Sequence, residues 1–222
     1  MSLFQRLAHR PKPYRLRDLR RRERLRPDYD LLADFLLREL SFESAIDVGC
    51  GNGFLLERFH DAGKRIAGVD VSPDVPVLLG RRLNGAVRVA DFGAAVGTFD
   101  LACCVEVAEH IAPDRSLSLV ETLTRVARTW IYFSAAPEGQ AGRGHINCRP
   151  HAEWLRWFEA RGWHIEAAST ELLREHLQKL ELAPWLRGNS FLIRHAGKGH
   201  HSGPAEFFLN GDEPRAVRAG TR

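Results

Sequence analysis

The spacing of apolar residues predicts an α/β protein, a seven-stranded doubly wound sheet whose last strand runs antiparallel. Three observations predict it. Short apolar runs alternate with amphipathic stretches of helical period from residue 28 to residue 194. The first run ends in a glycine-rich turn, Gly49-Cys50-Gly51-Asn52-Gly53, of the kind that lets a backbone approach a ligand closely. Two late runs, 164–168 and 190–194, read as a hairpin-like return, which suits seven strands better than a plain six-stranded parallel sheet.

Taken in order, residues 1–27 read as a basic lead-in punctuated by Pro11, Pro13 and Pro27. Leu31, Leu32, Phe35, Leu36 and Leu40 make a helical stripe over 28–40. A buried-type strand spans 45–48, a helix 54–62, and a second strand 65–69 that ends at Asp70. A helix over 72–83 and a third strand over 86–90, ending at Asp91, follow. The fourth strand spans 99–105, the next helix 114–128 and the fifth strand 130–135. Residues 136–149 form a loop rich in glycine and polar groups. Pro150 suits the first turn of a helix that Gly162 stops. A helix over 171–180 separates the last two strands. The expected organisation is a basic N-terminal arm (1–27), one folded domain (28–196) and a flexible tail (197–222) rich in Gly, Pro and charge.

With 222 residues, 44% of them hydrophobic, the chain is long enough for one sizeable core. No apolar run reaches the roughly 18–20 residues needed to span a bilayer. The opening Met1-Ser2-Leu3-Phe4 leads into arginines rather than an apolar stretch, so a cytoplasmic location is expected. The four cysteines show no CxxC spacing, and Cys103 and Cys104 are adjacent in a strand and point to opposite faces, so reduced thiols are expected. The net charge of +4 is uneven: residues 1–27 hold ten Lys/Arg and two acids, leaving a mildly acidic body. Such a lead-in can contact phosphate backbones, an anionic surface or an acidic substrate, or stay solvated.

Glycines after a buried strand, with a helix N-terminus behind them, suit a nucleotide-bearing ligand. The spacing is GxGxG rather than the GxGxxG of dinucleotide sites. Asp47, two residues before the first glycine, can pair with the ammonium of an amino-acid-bearing ligand, which a nicotinamide dinucleotide lacks. Asp70, ending the second strand, is placed to accept hydrogen bonds from a ribose diol. Residues 45–53, 66–72, 89–92 and 99–110 together resemble class I S-adenosylmethionine (SAM)-dependent methyltransferases, with their Rossmann-like sheet, in order and spacing. The resemblance implies that Gly49, Gly51 and Gly53 contact the methionine and ribose of SAM. It also implies that Asp70 binds the ribose hydroxyls, that Asp91 faces the adenine amine and that Phe92 lies beside the ring.

After the fourth strand comes Glu106-Val107-Ala108-Glu109-His110. If a helical turn begins there, Glu106, Glu109 and His110 share a face at i, i+3 and i+4. They are then candidate ligands for Mg²⁺ or Mn²⁺, with His145 of the 136–149 loop as a fourth. This ExxEH…H pattern resembles two metal-dependent subgroups, the small-RNA 2′-O-methyltransferases and the ubiquinone-pathway catechol-type O-methyltransferases. Without a metal, Glu106 would serve cofactor contact, and His110 and His145 would be general bases. The stretch 133–147 resembles a bacterial methyltransferase group associated with glycans and natural products. Its glycines suit a lid, and Arg149, His151 and Trp154 then line the mouth. Trp154, Trp157 and Phe158 have the spacing of core aromatics, with ring stacking on an acceptor as the alternative.

The expected function is therefore O-methylation of a small hydroxylated acceptor, a sugar, glycan end or natural product, with a divalent metal assisting. The alternatives are an RNA or nucleotide methyltransferase using the basic arm and a non-catalytic SAM-binding protein.

Overall fold

Strand β1 (Ser44–Val48) is buried at every position, and the sheet grows outward from it on both sides. The computed structural model describes residues 13–83 and 85–197; the expectations for residues 1–12 and for the tail beyond 197 lie outside them. Strand β2 (Arg65–Asp70) pairs parallel with one edge of β1, and β3 (Val87–Val89) extends that side in parallel. On the other side β4 (Phe99–Val105) and β5 (Ala127–Ser134) continue in parallel. Strand β7 (Ser190–His195) then pairs antiparallel with β5, and β6 (Trp163–Ile165) antiparallel with β7. The order β3-β2-β1-β4-β5-β7-β6 is the expected seven-stranded doubly wound sheet with an antiparallel return.

Burial follows position. The central strands β1, β4 and β5 are almost wholly buried, whereas the edge strand β3 is half-buried to exposed. Leu101, Cys103 and Val105 of β4 face a layer with α2 (Arg26–Glu39) and α3 (Phe54–Asp61). Ala102 and Cys104 face the opposite layer, under α5 (Ser116–Val126) and α6 (His151–Glu159). The adjacent cysteines thus part to opposite faces, as the strand period requires. All four cysteines are free thiols. Trp154 and Phe158 are 1% and 0% exposed beside Phe133, so these two aromatics are core and cannot stack on an acceptor.

Several element ends differ from the sequence expectation. Pro27 does not break the chain: it sits in the first turn of α2, where a missing N–H costs nothing. Ahead of it, α1 (Leu16–Arg22) and a 3₁₀ turn (Glu23–Leu25) lead straight in. Leu19 is 1% exposed and packs with Cys50, Leu56 and Leu79, so the basic segment is folded onto the domain from Tyr14 onward. Helix α4 (Val75–Leu83) follows β2 and is kinked at Gly80. Strand β6 stops at Ile165 because Glu166 caps α7 (Ala167–His176), accepting from Ser169 N at 2.7 Å. A short helix, α8 (Trp185–Asn189), precedes β7. Among the described residues no helix is long and apolar enough to cross a membrane.

Candidate active site

The carboxyl ends of β1 to β5 gather the chemistry-bearing residues along one edge of the sheet. At the tip of β1, Gly49 N donates to Val69 O at 2.7 Å, turning the chain at once. Gly49 has φ +83°, and a Cβ there would collide with the Val107 side chain. The loop after β4 thus lies directly on the glycine turn. Asp70 clamps the turn from β2: Gly51 N and Ser72 N each donate to one of its oxygens at 2.8 Å. Those bonds hold the charged form, but burial outweighs them and raises the Asp70 pKa. Each carboxylate oxygen keeps a lone pair for a further donor.

Asp47 is 4% exposed, and its Oδ1 has no hydrogen-bond partner. Burial, and secondarily the charge of Asp70, push its pKa up to about 7. A buried carboxylate with an orphan oxygen at a ligand cleft calls for a cationic partner. The cavity it faces is lined also by Arg22, Tyr29, Gly49, Gly51 and Phe54. Arg22 is a residue that the sequence reading missed. Its guanidinium donates to Tyr29 OH at 3.3 Å and lies 5.4 Å from the Tyr14 ring centroid. It sits within a run of arginines, and only its helical phase with Leu19 and Leu25 separates it from exposed Arg20 and Arg21.

Asp91 stands at the tip of β3, as expected, but is already engaged. It caps the 3₁₀ turn Phe92–Ala94 through Gly93 N at 3.0 Å and takes both arms of Arg115 at 2.6 and 2.8 Å. That pair holds its pKa below the usual carboxylate range. Phe92 is 6% exposed, with the Arg115 guanidinium 4.2 Å from its ring centroid.

Beyond β4, the expected helical turn is replaced by a 3₁₀ turn over Ala108–His110. Glu106 precedes it with φ +53°, a left-handed conformation that non-glycine residues rarely adopt and that marks local strain. Its carboxylate accepts from Asn189 Nδ2 at 3.2 and 3.3 Å and stays beside that of Glu109. The metal-ligand set thus contracts: Glu109, His110 and His145 place their ligand atoms within 4.8 Å of one another, and Glu106 stands outside. Glu109 is 0% exposed and neither of its oxygens has a hydrogen-bond partner. Burial, then the charge of Glu106, holds its pKa well above the usual range.

The two histidines face Glu109 with the same ring edge. Their Nε2 atoms lie 4.0 Å (His110) and 3.9 Å (His145) from Glu109 Oε1. His110 Nδ1 donates to Gly144 O at 3.1 Å and His145 Nδ1 to Gln140 O at 3.0 Å. A proton held at Nδ1 leaves Nε2 as a lone-pair donor, the arrangement of metal-ligating imidazoles. Burial depresses the His110 pKa to about 4, against the raising effect of the Gly144 bond. Gly142 has no alternative here, since a Cβ would overlap the His145 ring. The 136–149 loop thus holds the histidines by backbone carbonyls. Tyr14 meets His110 edge-on at 5.7 Å between centroids, and its hydroxyl donates to Arg143 O at 3.4 Å. Of the expected mouth residues, Arg149 is bound to Asn147 and Glu153, and His151 Nε2 to Ala135 O.

Residues 46–129 match the model of a family described as a methyltransferase domain. The chain is 29% identical over 187 residues to a ubiquinone biosynthesis O-methyltransferase of Methylococcus capsulatus, covering 78% of this chain and 73% of that protein. A protein of the same name from Burkholderia ambifaria is 26% identical over 185 residues, covering 78% and 75%. Among solved structures, the magnesium protoporphyrin IX methyltransferase of Synechocystis PCC 6803 with bound SAM shares the fold. Its TM-score is 0.59 at 15% identity, covering 87% of this chain and 91% of that one. A SAM-dependent methyltransferase of Archaeoglobus fulgidus does so at TM-score 0.55 and 16% identity, covering 78% and 96%. The glycine turn clamped by Asp70, the sheet order and the matched domain agree, and the chain is a SAM-dependent methyltransferase.

Proposed function

We propose that this enzyme transfers the methyl group of SAM to a hydroxyl of a small ring acceptor that carries a second hydroxyl beside the first. Glu109, His110 and His145 would hold a divalent cation, Mg²⁺ or Mn²⁺, at the acceptor end. The observation that carries this reading is the unpartnered carboxylate of Glu109, facing two imidazole nitrogens kept as lone-pair donors. A dication held there would lower the pKa of the hydroxyl to be methylated. The low pKa of His110 favours ligation over a role as general base near neutral pH. Relatives named as O-methyltransferases of ubiquinone biosynthesis, together with the Tyr14 ring beside His110, favour a hydroxylated ring over a sugar.

At the cofactor end, Asp47 would pair with the ammonium of SAM, Arg22 with its carboxylate and Asp70 with the ribose diol. Asp91 and Phe92 would mark the adenine end, where Asp91 must share its oxygens with Arg115. Transfer is an in-line displacement: the acceptor oxygen bonds the methyl carbon as the carbon–sulfur bond breaks, leaving S-adenosylhomocysteine and a proton. Positioning supplies most of the acceleration.

The test is turnover with SAM and a panel of dihydroxybenzoates. Chelator should abolish methylation, added Mg²⁺ or Mn²⁺ should restore it, and His110→Ala should lower it by about 10–100-fold or more. Turnover that resists chelator overturns the metal assignment. Absence of methylation across the panel, with cofactor binding intact, overturns the acceptor class.

A further inference from the structure

Helix α1 has a second face that the site does not use. Arg17, Arg20, Arg21 and Arg24 recur at i, i+3, i+4 and i+7, so they line one side of the helix and its 3₁₀ continuation. All four are exposed, and none of their guanidinium groups is in an ion pair with a described residue. The two acids of the segment are committed elsewhere: Asp18 to Arg143, and Glu23 to Arg26 and Asn52. Among the described residues the stripe therefore carries no ion pair, and it is made of arginine, whose planar fork matches phosphate oxygens.

Its surroundings are aliphatic. Leu16 N donates to Asp74 Oδ2, which seats α1 on the segment after β2. There Val71 is 51% exposed and Val77 65%. Single-stranded nucleic acid is held by charge together with stacking aromatics, and among the described residues Tyr14, the aromatic beside the helix start, is turned to His110 instead. Arginines beside exposed aliphatic side chains suit phosphate headgroups above an acyl layer.

We infer that the outer face of α1 docks the enzyme on an anionic phospholipid surface. The inner face of the same segment carries Arg22 into the cofactor cavity and Tyr14 to the acceptor end, so the docked helix is the one that covers the site. This inference does not depend on the metal or on the acceptor.

Vesicle flotation of the full chain tests it, comparing phosphatidylcholine with mixtures containing about 30% phosphatidylglycerol. Binding should require the anionic lipid and weaken at least ~10-fold when salt rises from about 0.05 to 0.5 M. The variant R17Q/R20Q/R21Q/R24Q should lose on the order of 100-fold in partitioning while binding S-adenosylhomocysteine like the parent. Equal binding to neutral vesicles, no vesicle binding, or an unaffected variant overturns the inference. So does capture of single-stranded RNA at concentrations where anionic vesicles do not bind. The lipid and salt comparisons on the parent chain decide the matter even if the variant folds poorly.

Discussion

With the proposed contact to the SAM ammonium, Asp47 would couple the protonation state of the cleft to the cofactor. Its pKa stands at about 7 because burial, and then Asp70, disfavour the charge. An acid raised in this way binds more protons folded than unfolded between its two pKa values. Its stabilising contribution to the ligand-free chain is therefore complete below about pH 4 and is lost as pH rises through about 7. An ammonium in the cleft reverses the preference and draws the proton off. S-adenosylhomocysteine should accordingly bind about tenfold tighter at pH 8 than at pH 6, with proton release near pH 7. Calorimetry in buffers of different ionisation heat reads both quantities. Asp47→Asn should bind more weakly and with no such slope, and a slope retained in that variant would remove Asp47 from the cofactor contacts. Glu106 and Glu109 behave differently because they lie together: each is raised by burial, and Glu109 further by its neighbour. The left-handed backbone at Glu106 replaces regular helical spacing, yet it leaves the two carboxylates close enough to perturb one another.

Elements are fastened to one another by buried acids at their ends. Asp28, in the first turn of α2, accepts from Glu181 N, Leu182 N and Ala183 N at 3.3, 2.8 and 2.5 Å. It is 4% exposed, so its loss would strand three backbone donors away from water. Asp28→Ala should cost about 3 kcal/mol, roughly 6–12 °C in Tm for a chain of this size. Thermal unfolding by circular dichroism measures this, and a shift below about 2 °C would mean that water replaces the lost carboxylate. Contacts of this sort explain which elements were legible in the sequence. The strands and their glycine turn rest on local pattern, and they lie where the apolar runs put them. The 3₁₀ turn after Asp91 and the early stop of β6 depend on single side-chain caps, Asp91 on Gly93 N and Glu166 on Ser169 N, which apolar periodicity does not register. Arg115, which takes up both oxygens of Asp91, is 24 residues away. Arg22 was hidden for the opposite reason: charge composition draws no line between an arginine that points inward and its exposed neighbours.

At the scale of the molecule, the sheet presents its ligand-bearing edge as a row, and the segment 14–22 lies across it. Ser72 Oγ donates to Tyr14 O at 2.6 Å near the cofactor end, whereas Tyr14 OH and Asp18 reach Arg143 in the 136–149 loop. The row of strand tips was legible because a doubly wound sheet puts every loop after a parallel strand on one edge. The cover over it was not, because it is made by residues that read as a basic lead-in. Cofactor that engages Arg22 should tighten this cover. Trypsin cleavage within residues 15–24 should slow several-fold when S-adenosylhomocysteine is bound, as intact-mass analysis of a digestion time course would show. Equal rates with and without the nucleoside would place Arg22 outside the bound state.

Tyr14 is a single residue that spans the candidate site: its main-chain carbonyl is tethered by Ser72 beside Asp70 and its ring abuts the His110 imidazole. On the proposed function, a spent cofactor and a methylated product would leave past the same tether. Cutting the chain after Leu25 would lift this cover and, in the same stroke, take from Asn52 of the glycine turn its partners Leu19 O and Glu23.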